Sequence, residues 1–122
     1  MEMPFDYVTR IGTLAAEDRL RFYELFAHNL TIGIRVIWSE PAMTDSEKLD
    51  QIKWINEILH QVISKAFHLR VNQNTRTESD TWDTIQHWIS QNPAIGGHVR
   101  IAIRFSYNNV AKINDISSDP LA

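Results

Sequence analysis

Histidine and carboxylate residues recur in this chain at the spacing of one helical turn. Glu24 and His28 are four residues apart, Glu57 and His60 three, Asp83 and His87 four, and His98 opens a later segment. On a helix such pairs share a face, and imidazole with carboxylate is a ligand set suited to zinc, iron or manganese. Glu-x-x-His is also the spacing of di-iron helical bundles, where it occurs on two helices; here it occurs once. A metal-binding bundle, as a carrier or an enzyme, is therefore one reading of these seven residues. The other is that they are exposed charge pairs, each worth about 0.2–0.5 kcal/mol to its helix.

Other chemistries lack their residues. With no cysteine in 122 residues, disulfides, thiolate metal sites and cysteine nucleophiles are excluded. Gly96-Gly97 has neither the further glycines nor the lysine of a phosphate-binding loop. No G-x-S-x-G elbow and no H-E-x-x-H occurs. The sequence therefore calls for no cofactor.

The elements that would position these residues are helical. Ala16 to Trp38 repeats Leu20, Tyr23, Ala27, Leu30, Ile34 and Ile37 at alternating spacings of three and four, the stripe of an amphipathic helix. Glu17 and Asp18 suit the positive end of its dipole, and Pro41 forces it to stop. Thr44 followed by Glu47 forms a capping box, which opens a second helix running to about Leu69. Its stripe is Ile52, Ile55, Leu59, Val62, Ala66 and Leu69, with His60 at the border of that core beside Leu49, Ile63 and Phe67. Two helices of this length joined by a short loop form an antiparallel hairpin.

A polar connection, Arg70 to Asp80, leads to a shorter helix from Asp80 to Gln91, capped by Ser79, burying Trp82, Ile85 and Ile89 with Trp88 beside them. The next segment has two periodicities. Val99, Ile101, Ile103, Phe105 and Tyr107 alternate as in a strand, while Ile95, Val99, Ala102, Ser106, Val110 and Ile113 keep helical spacing. A lone strand in a helical chain has no partner, so a fourth helix over 95–112 is expected, with a short strand near 98–107 in an α+β fold as the alternative. Residues 1–13 read as an N-terminal arm, extended or a short helical turn, docked by aromatics, and residues 114–122 as a flexible tail. The expected fold is one all-α domain over residues 1–122, a four-helix bundle built on a long hairpin.

Composition, 43% hydrophobic and 22% charged, is that of a soluble globular protein. No positive leader and no membrane-length apolar run is present, so a cytoplasmic location is expected and a membrane is not. A net charge of −3 disfavours nucleic acid as a partner, although Arg100, Arg104 and Lys112 fall in a stretch without carboxylates between Asp83 and Asp115.

The first long helix carries more apolar surface than one contact can bury. Phe22, Leu25, Ile32 and Val36 form a second stripe, available either to the other helices of the bundle or to a partner. Arg35 and Trp38 lie near its end and are residue types enriched at binding hot spots. The expected function is accordingly a non-enzymatic interaction module of adaptor, inhibitor, antitoxin or immunity type. Its surface would comprise Phe22, Leu25, Ile32, Arg35, Val36, Trp38, Arg100 and Arg104, binding a partner protein or a second copy.

Overall fold

The computed structural model describes residues 5–71 and 78–111. They form five α-helices: α1 (Phe5–Gly12), α2 (Ala16–Trp38), α3 (Asp45–Arg70), α4 (Glu78–Gln91) and α5 (Gly96–Ala111), with a 3-10 turn, Pro93–Ile95, leading into α5. α2 to α5 make a helical bundle and α1 is added at one end. No strand occurs among the described residues.

α2 starts without a side-chain cap, but Glu17 and Asp18 occupy its first turn. It ends where the Ser39 and Glu40 amides donate to the carbonyls of Arg35 and Ile37. The Thr44 hydroxyl accepts from the Glu47 amide at 3.2 Å and the Glu47 carboxylate accepts from the Thr44 amide at 3.3 Å, completing the capping box that opens α3. Lys48 donates through Nζ to the Trp38 carbonyl at 3.0 Å, tying the two ends of the hairpin loop. At the start of the last segment, Asn92 accepts from the Ala94 amide and donates to Asp50 of α3 at 2.7 Å.

α2 is the central element. Its most extensive contacts are with α3 on one flank and α5 on the other, while α3 carries α4. The inner face of α2, Phe22, Tyr23, Phe26, Leu30 and Ile37, is fully buried. Against it pack Ile55, Ile58 and Val62 of α3, Trp82, Ile85 and Ile89 of α4, and Val99, Ile103 and Tyr107 of α5. Trp82 lies among three aromatic rings of α2, stacked on Phe26 at 5.7 Å with Phe22 and Tyr23 at 6.2 and 6.3 Å. Trp88 stacks on Trp54 at the α3–α4 contact.

Several expectations shift in detail. Residues 5–12 of the arm are helical, and Ile11 docks them in the core. α4 is already under way at Glu78, one residue before Ser79, so Ser79 lies within its first turn and is not its cap. The expected fourth helix is present as α5, and its alternative, the short strand, is not seen, because the buried positions Val99, Ala102, Ile103, Ser106, Tyr107 and Val110 follow a spacing of three and four. Leu49, Ile63 and Phe67, placed at a core border by the helical wheel, are each at least half exposed. The 114–122 tail, and residues 72–77 of the polar connection, lie outside the described residues.

Candidate functional site

The seven histidine and carboxylate residues are not brought together. Glu24 and His28 lie on the exposed outer ridge of α2, His60 is exposed on α3 with Glu57 half-buried, and Asp83 and His87 are exposed on α4. Glu24 is ion-paired with Arg70 across the α2–α3 contact, and His87 meets the edge of the Trp88 ring. Among the described residues no three of His, Asp or Glu are arranged to hold a metal ion. The physical reason is the wheel: each pair sits on the polar arc of its own helix, and those arcs face outwards, not towards one another.

The apolar surplus of α2 divides in two. Phe22 is completely buried, so it belongs to the core and not to a surface, and Leu25 is half-buried against that core. Ile32 and Val36 remain 42% and 53% exposed. They do not stand alone. α5 runs antiparallel to α2, as Arg21 donates to Asn109 at one end and Gly33 meets His98 at the other. This pairing brings Ile101 and Phe105, 51% and 60% exposed, to the same side. The four side chains enclose a groove of about 300 Å³ whose floor is Asn29, Gly33, His98 and Ala102.

The floor is fixed from below. Asn29 donates through Nδ2 to the Ser106 hydroxyl at 2.9 Å, and that hydroxyl donates to the Ala102 carbonyl at 2.6 Å, so both polar groups are satisfied. Gly33 faces His98 of α5, and a methyl group there would make an ordinary contact 3.6 Å from the His98 Cβ. Burial lowers the pKa of His98 from its usual value near 6.5, because the charged ring would lose hydration in this setting. His98 is thus held towards its neutral form.

A second groove, of about 340 Å³, runs along the other flank of α2 and is lined by Ala27, Ile63, Ala66 and Phe67. The Glu24–Arg70 ion pair borders it. Between the two grooves α2 presents a ridge of Arg21, Glu24, His28 and Arg35, all exposed.

The remaining expected surface residues are scattered. Trp38 is 58% exposed at the hairpin end of α2, outside the lining of both grooves. Arg100 is exposed and Arg104 half-buried on α5. Both lie roughly 100° or more around α5 from the mean direction of the groove residues. The Arg104 guanidinium stands 6.0 Å from the centre of the neighbouring Phe105 ring. Ile101 and Phe105 were absent from the expected surface, although their spacing of four, offset from the buried stripe of α5, marks them once that segment is helical.

Comparison with family models, with curated proteins and with solved structures finds no match. No helix among the described residues is long and apolar enough to cross a membrane.

Proposed function

We propose that this protein is a non-enzymatic interaction module whose docking site is the groove between α2 and α5. One observation carries the reading: four large apolar side chains from two helices, Ile32, Val36, Ile101 and Phe105, converge around a common depression while each remains about half exposed. Exposed apolar side chains scattered singly are normal, but a contiguous set framing a concavity is the form taken by protein-binding sites. The floor is rigid, since its polar groups are tied to each other and to the α5 backbone. A partner would therefore meet a preformed surface and would not have to order it, which lowers the entropic cost of association. The module acts by occupancy, holding or occluding the partner segment that enters the groove.

The test is a pair of substitutions, Val36→Glu and Ile101→Glu. Each side chain is about half exposed, so the monomer should stay folded with an unchanged circular dichroism spectrum. A complex retained on purification from the protein's own host, weighed by native mass spectrometry, should be lost in both variants. A complex that survives both would remove the groove as its site.

A further inference from the structure

The exposed apolar side chains on the two flanks of α2 share a common level. α5 runs antiparallel to α2, with Asn109 beside Arg21 and His98 beside Gly33. Ile101 is therefore level with about residue 30 of α2 and Phe105 with about residue 26. α3 also runs antiparallel to α2, with Arg70 beside Glu24 and Ile63 and Ala66 beside Ala27. That places Ile63 and Phe67 at about the same two levels on the opposite flank. Ile32 and Val36 of α2 complete a set of apolar side chains, each about half exposed, whose middle falls between Asn29 and Leu30.

The polar ridge of α2 is arranged about the same point. Glu24 and Arg35 lie on either side of it, each about 8 Å away along the helix, and Arg21 and Trp38 do so at about 13 Å. All four are exposed. A two-fold axis crossing α2 at this point lays a second copy of the helix antiparallel on the first. Glu24 of each copy then meets Arg35 of the other, and Arg21 meets the Trp38 ring. The first two groups have capacity for this contact. The Arg35 guanidinium has no partner among the described residues, and Glu24 is held by Arg70 through Oε2 only, leaving Oε1 to accept.

Residues on a two-fold axis meet their own counterparts. Ile63 and Ile101 lie nearest the axis, so each is set against itself as an apolar contact. Between them on the ridge, His28 of one copy faces Thr31 of the other, and neither Glu24 nor Arg35 is set against itself. Phe105 of each copy comes level with the space between Ile32 and Val36 of the other, at the mouth of the α2/α5 groove. With Trp38 included, the half-exposed apolar side chains of this face offer on the order of 700 Å² per copy, close to the roughly 800 Å² that each partner contributes to a stable interface.

We infer that the groove is occupied by a second copy of this chain, paired through antiparallel α2 helices about an axis between Asn29 and Leu30, an inference that rests on the groove being a docking site at all.

The test is the oligomeric state of the full chain in sedimentation equilibrium. A concentration-dependent dimer is expected, and Ile101→Glu, which sets two carboxylates together at the axis, should leave a monomer. Glu24→Arg and Arg35→Glu should each raise the dimer dissociation constant at least about tenfold, because each opposes like charges twice in a homodimer. Mixed in equal amounts, these two variants should recover the dimer as a heterodimer, since both contacts then join opposite charges. Native mass spectrometry separates that heterodimer from either homodimer by mass, and its recovery requires both variants to be folded.

A dimer broken by Ile101→Glu but indifferent to the charge reversals, or not recovered in the mixture, would overturn the antiparallel second copy while leaving the groove as a docking site. A chain that stays monomeric up to about 1 mM would overturn the second copy, and a different protein retained from the host and lost in Val36→Glu and Ile101→Glu would take its place in the groove. A dimer that survives Val36→Glu and Ile101→Glu would overturn the groove as well.

Discussion

Replacing Trp82 with alanine would remove the side chain through which α4 meets the aromatic face of α2. The indole is 2% exposed and lies against three rings, nearly parallel to Phe26 at 5.7 Å. Truncating a buried aromatic to alanine costs about 3–5 kcal/mol, combining lost transfer energy with the cavity left behind. A chain of 122 residues has a total stability on the order of 6–18 kcal/mol, so Trp82→Ala should remove a large share of it. Trp82→Phe separates the ring from its polar atom. Among the described residues the buried Nε1 of Trp82 has no hydrogen-bond partner, and an orphaned donor costs about 1–3 kcal/mol. Phenylalanine keeps part of the stack and eliminates that donor, so its net cost should stay below about 1.5 kcal/mol. Urea unfolding followed by far-UV circular dichroism measures both. A Phe variant as damaged as the Ala variant would show that the indole N–H is in fact engaged. An Ala variant losing less than about 1.5 kcal/mol would show that α4 is held to α2 by something other than this side chain.

Three further outcomes are expected. Gly33→Ala should stabilise the protein by about 0.5–1 kcal/mol in urea titrations, because glycine within a helix is costly and the new methyl would make an ordinary contact 3.6 Å from His98; a loss would mean α5 is packed closer than that. Thr44→Ala should cost about 1 kcal/mol by removing half of the capping box on α3, read as a lower urea midpoint without change in slope. The depressed pKa of His98 means that the unfolded chain binds the proton first. Its contribution to stability is therefore full above pH about 6.5, declines as the pH falls below that, and levels off once the folded ring is protonated too. His98→Leu should flatten that part of the stability–pH curve, and an unchanged slope would exclude His98 as its source.

The helices were legible because their evidence is local. The capping box at Thr44, the stop imposed by Pro41 and the three-four stripes of α2 and α3 each depend on neighbouring residues, and all appear in the fold. What one helical wheel cannot show is which of two apolar arcs another helix will cover. Phe22 and Val36 belong to the same stripe of α2, yet Trp82 lies against Phe22 while Val36 stays 53% exposed. The groove between α2 and α5 was illegible for a related reason. The strand-like alternation from Val99 to Tyr107 is the overlay of two helical faces: Val99, Ile103 and Tyr107 point into the core, and Ile101 and Phe105 point out. The helical reading of this segment followed its buried stripe, and the exposed face carrying Ile101 and Phe105 shows as part of a groove only once α2 is set beside it. For the histidines, regular spacing within each helix carries no information about whether three different helices turn those faces towards one another.

The two walls of the groove come from distant parts of the chain. The α2–α3 hairpin is complete within residues 16–70, whereas α5 begins only at residue 96. During synthesis the hairpin can close early, since its contacts span short loops. The flank of α2 bearing Gly33 and Val36 must then wait, uncovered, for the last helix to arrive. Asn29 and Ser106 find each other across 77 residues, so the groove is completed at the end of folding and not with the hairpin. A chain interrupted before α5 would contain the α2–α3 hairpin and lack one wall of the groove.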